Sequence, residues 1–564
     1  MRRRSFVVAL IAMLTVALVG FLPSALARSN GPLREYVVQY EAGATHAEAM
    51  AAVRAAGGTV VDEIASIGAA KVVSKNIDFV LDATAQGALA GAARNQIIGY
   101  SAPGLGKKVD KVEALTAVSK AESEQVATTA GAEPLAGLQW DMDMIDATTE
   151  GSYASQPGDP RTLVGIIDTG IDASHPDLND NVNTSLSRNF TTDIPLIDGP
   201  CEAEPDHSCS DAATVDEGGH GTHVAGTVAA ELNGLGIAGV APHVTLVNLR
   251  AGQDSGFFFL FETLDAYTYA ADQRIDVVNM SFFTDPWWAN CRDNSNDTAE
   301  EQQEQATIID LSNEALDYAY SHGVTLVAAA GNEHTDMDNP TYDAISPDYP
   351  PGTAKVRNNI TNDCLIIPTE GNHVLSISAL GPSGRKSYYS NYGTTEIVVS
   401  APGGDRRDFP GTPQYNTPGT RILSTYPAAL AMEEGLVSKN FKSLNPLAVV
   451  DCQNGHSAKS CGVYVYLQGT SMASPHVTGV AALIVSEFGH GGGRGFGLAP
   501  ATVESILRSS ATDHACPTVS SAQLYPDLVG ADTHVPFEAQ VCVGNAAFNS
   551  WYGDGIANAL AAVS

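Results

Sequence analysis

One serine near the C-terminal end of the chain stands in a local sequence that could make it a nucleophile. Residues 469–477 read GTSMASPHV, and the helix-forming run 480–488 follows. We expect Ser471 to lie where a tight turn enters a helix, because Gly469 permits the turn and the close approach of neighbouring chain. The N–H groups and the positive dipole end of such a helix suit a developing oxyanion. A serine hydroxyl is a weak nucleophile alone, so this hypothesis requires a histidine and an acid.

Candidates for both partners stand upstream of the serine. Residues 164–172 read VGIIDTGID, which predicts a buried strand that carries Asp168 at its C-terminal end. Residues 219–227 read GHGTHVAGT, in which small residues allow a helix to begin at His220 close to neighbouring chain. Asp168 and His220 are therefore the candidate acid and histidine partners of Ser471.

The order Asp, His, Ser is the order found in subtilisin. Together with a fourth string, AAAGN at residues 328–332, these sequences resemble the subtilisin family of serine peptidases. The resemblance implies a secreted endopeptidase that works through an acyl-enzyme without a catalytic cofactor. It also implies that the Asn332 side chain donates to the oxyanion, and that Ser281 and Gly331 contact the substrate.

The chain departs from the family pattern directly after Ser281. The family has a small, glycine-containing segment there, which lines the pocket for the residue before the scissile bond, whereas residues 282–285 read FFTD. The sequence therefore leaves the preferred substrate side chain open. Two alternatives to a broad endopeptidase also stay open: an inactive binding protein of the same fold, and a peptidase dedicated to one precursor. The intact set of four site residues favours an enzyme.

The resemblance further implies a structural calcium site. Asp177 matches a family calcium ligand, and residues 231–237 match the loop that supplies the others, with Glu231 and Asn233 as side-chain candidates. Carboxylate and carbonyl oxygens suit calcium. The family's N-terminal ligand has no counterpart in the sequence, and an ordinary polar loop is the alternative interpretation.

Composition limits the classes of partner. The 564 residues are 44% hydrophobic and 17% charged, as in an ordinary globular protein. The formal net charge of −34 argues against nucleic acid, because neutralising phosphates needs a basic surface. We expect protein or peptide substrates and a monomeric enzyme.

The N-terminus has the pattern of a secretory signal. Arginines at positions 2–4 precede an apolar run over residues 6–22, and Ala-Leu-Ala follows at 25–27. This pattern predicts cleavage after Ala27 and an extracellular protein that has no membrane association afterwards. An uncleaved membrane anchor is the alternative.

Eight cysteines in a secreted chain predict four disulfides. Eight cysteines allow 105 pairings, and the sequence alone does not select one. Proximity along the chain favours two short loops and leaves two further pairs: Cys201–Cys209, Cys452–Cys461, Cys291–Cys364 and Cys516–Cys542. A zinc site is disfavoured, because no CxxC pair stands with a matching histidine cluster.

The segment before the catalytic strings has a pattern of its own. Thr45 and Glu48 form a capping box for an alanine-rich helix over residues 45–56. Further elements are predicted as strands over 35–40, 59–64, 69–73 and near 96–100, with a second helix over 77–93. This β-α-β-β-α-β order resembles the inhibitory propeptide of the subtilisin family. An N-terminal domain that is kept in the mature enzyme is the alternative.

Four segments follow from these patterns: a signal peptide (1–27), an inhibitory propeptide (28–102), a polar linker that contains the cleavage site (103–134) and a catalytic domain (135–564). In the catalytic domain strands alternate with helices, which predicts a doubly wound, mostly parallel sheet with helices on both faces. Strands are predicted over 244–249, 275–280 and 325–330, and helices over 263–272, 308–321 and 470–486. Asp168, Ser281 and Asn332 fall at strand ends, where open α/β sheets place their sites.

Overall fold

The computed structural model describes residues 30–97, 133–203, 207–453, 455, 457–491, 495–529, 537 and 539–564. The predicted signal peptide (1–27) lies outside the described residues, and so does the predicted linker (103–134) except its last two residues.

Residues 30–97 form a small α+β unit. Its elements are β1 (Asn30–Tyr40), α1 (His46–Ala56), β2 (Gly58–Ile64), β3 (Ala69–Asn76), α2 (Phe79–Thr84) and β4 (Leu89–Ile97). The strands form an antiparallel sheet in the order β2-β3-β1-β4. The capping box of Thr45 and Glu48 begins α1 as expected.

The second helix of this unit is shorter than the sequence predicts. It ends at Thr84 rather than at residue 93. Residues 89–97 form β4, so residues 89–93 of the predicted helix belong to a strand. Glycines at positions 87 and 91 weaken a helix here, while a strand gains backbone pairing with β1. Gly91 also lets β4 approach the later helix Ala299–Ser321 closely, since a Cβ there would lie 2.4 Å from Thr307 Oγ1.

The rest of the described chain alternates strands and helices. The strands are β5 (Leu163–Asp168), β6 (Arg188–Asn189), β7 (Thr245–Arg250), β8 (Val277–Met280), β9 (Thr325–Ala329), β10 (Tyr342–Asp343), β11 (Arg357–Asn358), β12 (Val374–Leu380), β13 (Ile397–Pro402), β14 (Ile422–Thr425), β15 (Ala448–Cys452) and β16 (Cys461–Leu467). The helices are α3 (Trp140–Met144), α4 (Ser152–Ser155), α5 (His220–Ala229), α6 (Leu260–Gln273), α7 (Ala299–Ser321), α8 (Ala428–Glu433), α9 (Thr470–Phe488), α10 (Pro500–Ser510), α11 (Ser521–Leu524) and α12 (Ala559–Ala562).

Seven of these strands form one parallel sheet, in the order β13-β12-β9-β8-β5-β7-β6. Alternate residues of β5 face opposite layers: Val164 and Ile166 pack with α5 and α9, while Leu163 and Ile167 pack with α6 and α7. The predicted doubly wound α/β fold is confirmed. A smaller antiparallel sheet, β14-β16-β15, lies beside α5.

The small unit packs on the outer surface of α6 and α7. Val37, Ile64 and Ala93 of the unit share a buried cluster with Phe261 and Ile308 of these helices. The unit therefore covers apolar surface of the two helices rather than standing apart from the seven-stranded sheet and its helices.

Four disulfides join the eight cysteines in the pairs that chain proximity favours: Cys201–Cys209, Cys291–Cys364, Cys452–Cys461 and Cys516–Cys542. Within the described ranges, no helix is both long and apolar enough to cross a bilayer.

Candidate active site

Asp168 and His220 are in direct contact. Asp168 is the last residue of the fully buried strand β5, and His220 is the first residue of α5. His220 Nδ1 lies 2.8 Å from Asp168 Oδ1. Glycine at 221 makes this possible, since a Cβ there would lie 2.1 Å from the Gly170 carbonyl oxygen and 3.0 Å from Asp168 Cβ.

Burial raises the pKa of the Asp168 carboxyl group, and the contacts with His220 and the Thr169 N–H oppose that shift. The Thr169 N–H donates to Asp168 Oδ1 at 2.8 Å. Both contacts favour the ionised carboxylate. An ionised Asp168 accepts a hydrogen bond from His220 Nδ1–H. This contact fixes the histidine tautomer whose Nε2 can act as a base.

Asp216 links the end of β5 to the start of α5, and the sequence analysis did not single it out. Its Oδ1 accepts from Thr169 Oγ1 at 3.0 Å and from the Gly219 N–H at 2.8 Å. Its Oδ2 accepts from the Thr222 N–H and hydroxyl at 2.9 and 2.6 Å. Asp216 thus caps the helix that carries His220. An acid four residues before the first helical residue, in a glycine-containing turn, was the available signal.

Ser471 is the second residue of α9. Its Oγ lies 3.4 Å from the Ser281 carbonyl oxygen. Pro475 lies inside the helix and has no N–H, so the Ser471 carbonyl lacks its usual intrahelical donor. The Ser281 hydroxyl replaces that donor at 3.1 Å. The structure therefore places Ser281, predicted as a substrate-contacting residue, against the candidate nucleophile.

Thr470 orients the amide of Asn332. Its N–H and its hydroxyl both donate to Asn332 Oδ1, at 2.9 and 3.0 Å. The Gly331 N–H donates to the same Thr470 hydroxyl at 3.0 Å. Because the Asn332 amide oxygen faces Thr470, the Asn332 NH₂ group points away from Thr470. An oxyanion requires this NH₂ group as its hydrogen-bond donor. Sequence reasoning did not single out Thr470.

The sheet order explains why these residues meet. Strands β9, β8 and β5 are neighbours in the parallel sheet, and Asn332, Ser281 and Asp168 follow or end them. The carboxyl ends of parallel strands lie at one edge, and the first turn of α9 enters there with Ser471. The predicted catalytic, oxyanion and substrate-contacting residues are thus gathered at one sheet edge.

Two of the three predicted calcium ligands, Glu231 and Asn233, are hydrogen-bonded to each other. The Asn233 amide donates to Glu231 Oε2 and to the Pro176 carbonyl, both at 3.2 Å, and its Oδ1 accepts from the Leu235 N–H at 2.9 Å. Burial raises the pKa of the third, Asp177, and repulsion from Glu231 contributes to the same shift.

Asp177 has the oxygen that a cation would need. Its Oδ2 accepts from the Ile237 N–H and the Tyr464 hydroxyl, but among the described residues its buried Oδ1 has no hydrogen-bond partner. The buried Oε2 of Glu133 likewise has no hydrogen-bond partner among the described residues. Burial raises the pKa of Asp177, and repulsion from Glu133 raises it further. The carboxylate oxygens of Asp177 and Glu133 fit a hard cation held between them. The sequence did not reveal Glu133 as a ligand.

A second acidic group surrounds Arg250, next to Asp168 in the sheet register. Within the described ranges, Asp193, Asp211 and Asp254 form the only group of three carboxylates close enough to share a cation. The buried Arg250 guanidinium already pairs with all three. Burial, with repulsion from neighbouring carboxylates, raises the pKa of Asp193 to about 8 and that of Asp254 to about 7.

Comparison with known proteins agrees with this geometry. A profile described as "Subtilase family" matches residues 159–525. Subtilisin DY of Bacillus licheniformis is 28% identical over 325 residues, which cover 58% of this chain and 77% of that protein. The nisin leader peptide-processing serine protease NisP of Lactococcus lactis subsp. lactis is 27% identical over 384 residues, 68% of this chain but only about half (49%) of NisP.

Among solved structures, the epidermin leader peptide processing serine protease EpiP of Staphylococcus aureus matches with a TM-score of 0.60. The match covers 94% of this chain and 98% of EpiP at 20% sequence identity. This likeness concerns the fold.

Proposed function

Because the chain belongs to the subtilase family and is a serine-type peptidase, we propose that it is a secreted endopeptidase whose triad is Asp168, His220 and Ser471. One observation carries the proposal. The hydrogen-bonded pair of Asp168 and His220 and the first turn of α9, with Ser471, lie at the same sheet edge. Peptide and protein substrates follow from the family.

In the proposed reaction Ser471 Oγ attacks the peptide carbonyl carbon and passes its proton to His220 Nε2. Asp168 stabilises the resulting imidazolium through Nδ1–H. The oxyanion accepts from the Asn332 side chain and the Ser471 N–H. His220 then protonates the leaving amine, which departs as the acyl-enzyme forms, and a water molecule repeats the steps to release the acid and regenerate Ser471.

A serine-directed sulfonyl or organophosphorus reagent tests the nucleophile. We expect inactivation with one adduct, which mass spectrometry places on Ser471, and no adduct on a Ser471→Ala variant. Inactivation with the adduct on another residue would refute the assignment. Replacing Asn332 with leucine should lower kcat by about 10²–10³ with little change in KM, as the loss of one such donor does in subtilisin.

We further propose that residues 28–102 are an inhibitory propeptide and that the enzyme is made as a zymogen. The packing of the 30–97 unit on α6 and α7 supports this, because a unit bound to these helices can assist their folding and stay attached as an inhibitor. Slow formation of a parallel sheet gives such a template a purpose. Cleavage within 103–134 would leave the unit bound without a covalent link.

We propose that this enzyme binds a structural calcium ion that has no part in catalysis. Asp177 and Glu133 would hold it, and the cation would neutralise two buried carboxylates beside the 231–237 loop. Thermal unfolding with calcium and with a chelator tests this: calcium should raise the Tm of the wild type and leave that of an Asp177→Asn variant nearly unchanged. An equal response of both proteins would contradict the site.

A dedicated precursor-processing peptidase is the second candidate function. The likeness to NisP and EpiP, both named for leader-peptide processing, favours it. A casein-clearing assay beside a profiled peptide library separates the possibilities. Clearing with a broad profile indicates a general degrader, one dominant peptide without clearing indicates a processing enzyme, and no cleavage at all indicates an inactive binding protein.

A further inference from the structure

The loop that carries Asn332 is held by one residue far away in sequence, Asn391. Asn391 lies in the segment between β12 and β13 and is fully buried. Its Nδ2 donates to the Ala330 carbonyl at 2.9 Å and to Glu333 Oε2 at 2.8 Å. Its Oδ1 accepts from the N–H groups of Glu333 and Thr335, at 3.1 and 2.8 Å.

The orientation of this amide is fixed by its partners. The NH₂ end faces two acceptors and the oxygen faces two donors, so exchanging the two ends would break all four contacts. The backbone adds a fifth contact, since the Asn391 N–H donates to the Gly331 carbonyl at 3.0 Å. Asn391 thus contacts residues before and after Asn332.

The loop needs such a support because of its own conformation. Gly331 has φ of 100°, in the region that side chains rarely adopt. A Cβ at Gly331 would lie 2.4 Å from Asn391 Nδ2, so the bare glycine is what lets Asn391 reach the Ala330 carbonyl. Thr470 holds the amide oxygen of Asn332 and accepts from the Gly331 N–H on its N-terminal side. Asn391 contacts the backbone on both sides of Asn332.

We propose that Asn391 is a positioning residue for the oxyanion hole, which acts by fixing the backbone that presents the Asn332 amide. This inference rests on the proposed function. A donor that stabilises the transition state must stand within a few tenths of an ångström of the oxyanion, so loosening its backbone costs rate rather than substrate binding.

Asn391→Ser removes the four side-chain contacts and tests the proposal. Full chains are processed in trans by tagged wild-type enzyme, which is then removed, and kcat and KM are measured with a peptide amide. We expect kcat to fall by about 10- to 100-fold, less than for Asn332→Leu, with KM within about twofold. Binding of a peptide boronate, which forms a tetrahedral serine adduct, should weaken by a similar factor.

The decisive measurement is the same change made in the Asn332→Leu background. If Asn391 acts through Asn332, the added substitution should change kcat by less than about twofold, because the donor it positions is already gone. Equal losses in both backgrounds would show a general structural role and overturn the proposal. Asn290→Ser, another fully buried asparagine with side-chain bonds to the Trp287 and Leu365 carbonyls, is the matched control: its Tm should fall while its kcat stays.

Two further results separate this inference from the proposed function. An unchanged kcat for Asn391→Ser beside a large loss for Asn332→Leu refutes only the role of Asn391. An unchanged kcat for Asn332→Leu refutes both the oxyanion assignment and the inference. Should Asn391→Ser not fold, Asn391→Asp keeps the side-chain volume and the two acceptor contacts, and sets a carboxylate against Glu333. The kcat of Asn391→Asp is then compared in the wild-type and Asn332→Leu backgrounds.

Discussion

The contact between the small unit and α7 allows a quantitative prediction about activation of the proposed zymogen. The Arg94 guanidinium binds the Glu304 carboxylate through two nitrogens, with its outer nitrogen 2.7 Å from Oε2. The Glu304 side chain is only 2% exposed, whereas Arg94 is 38% exposed. Arg94→Met would leave a buried carboxylate unpaired in the bound state, which costs about 2–5 kcal/mol. The partial exposure of Arg94 places the loss near the lower end, at about 2 kcal/mol, or about 30-fold in affinity.

The assay follows the cleaved unit as it leaves the enzyme. Matured protein is diluted into a chromogenic peptide, and the rate at which activity appears reports dissociation. We expect Arg94→Met to speed this appearance by about 30-fold, because affinity changes of this kind fall mainly on the off-rate. Arg54→Met, an exposed arginine on α1, is the charge-matched control and should behave as the wild type.

A second change in the same pair tests the physical reason. If the cost comes from a buried unpaired charge, Glu304→Gln added to Arg94→Met should recover much of the lost affinity. Dissociation that is no faster for Arg94→Met than for Arg54→Met would refute the reasoning. The reasoning would also be refuted if Glu304→Gln lowered the affinity further when added to Arg94→Met.

Three further predictions concern maturation, stability and pH. Ser471→Ala protein should keep its full length after signal removal while the wild type shortens within residues 103–134, and N-terminal sequencing of both compares them; an equal cut would mean another protease. Arg357→Met should destabilise the fold by about 3–5 kcal/mol in denaturant unfolding, since it strips buried carboxylates of their buried partner. The raised pKa values of Asp193 and Asp254, about 8 and 7, mean that the folded state binds extra protons. The stability that they contribute is fully present below the ordinary carboxyl pKa of about 4 and is lost as the pH rises from there through 7–8. Asp193→Asn should therefore raise Tm at pH 9 but hardly at pH 4, and equal shifts would contradict this.

The elements that carry the site could be predicted because their signals are local. The apolar run of β5 ends at Asp168, and the glycines before His220 and Ser471 mark tight helix starts. Where the prediction was wrong, a local signal was outweighed or overlooked. Helix α7 begins at Ala299, nine residues before its predicted start, because Thr298 and Glu301 form a capping box ahead of a polar run. Only the later, apolar turns of that helix have the periodicity of a buried face.

The supports of the site were harder to predict, because their local signals are weak or absent. Asn391 stands 59 residues after Asn332 in a serine- and tyrosine-rich stretch, and only the glycines before α5 mark Asp216. Their importance comes from side-chain contacts with residues far away in the sequence: Asp216 Oδ1 accepts from Thr169 Oγ1, and Asn391 Oδ1 accepts from the Glu333 N–H. Such contacts exist only after the chain has folded.

This difference between reacting groups and their supports suggests where the chain can vary. The triad and oxyanion positions are constrained by chemistry, so their residue types persist and can be recognised in a single sequence. The supports are constrained only by geometry: any side chain that satisfies the same N–H and carbonyl groups in the same space would serve. We therefore expect substitutions at Asn391 to separate rate from folding, whereas no substitution at Ser471 can preserve the nucleophile except by another nucleophilic side chain. The double substitution with Asn332 measures this distinction directly.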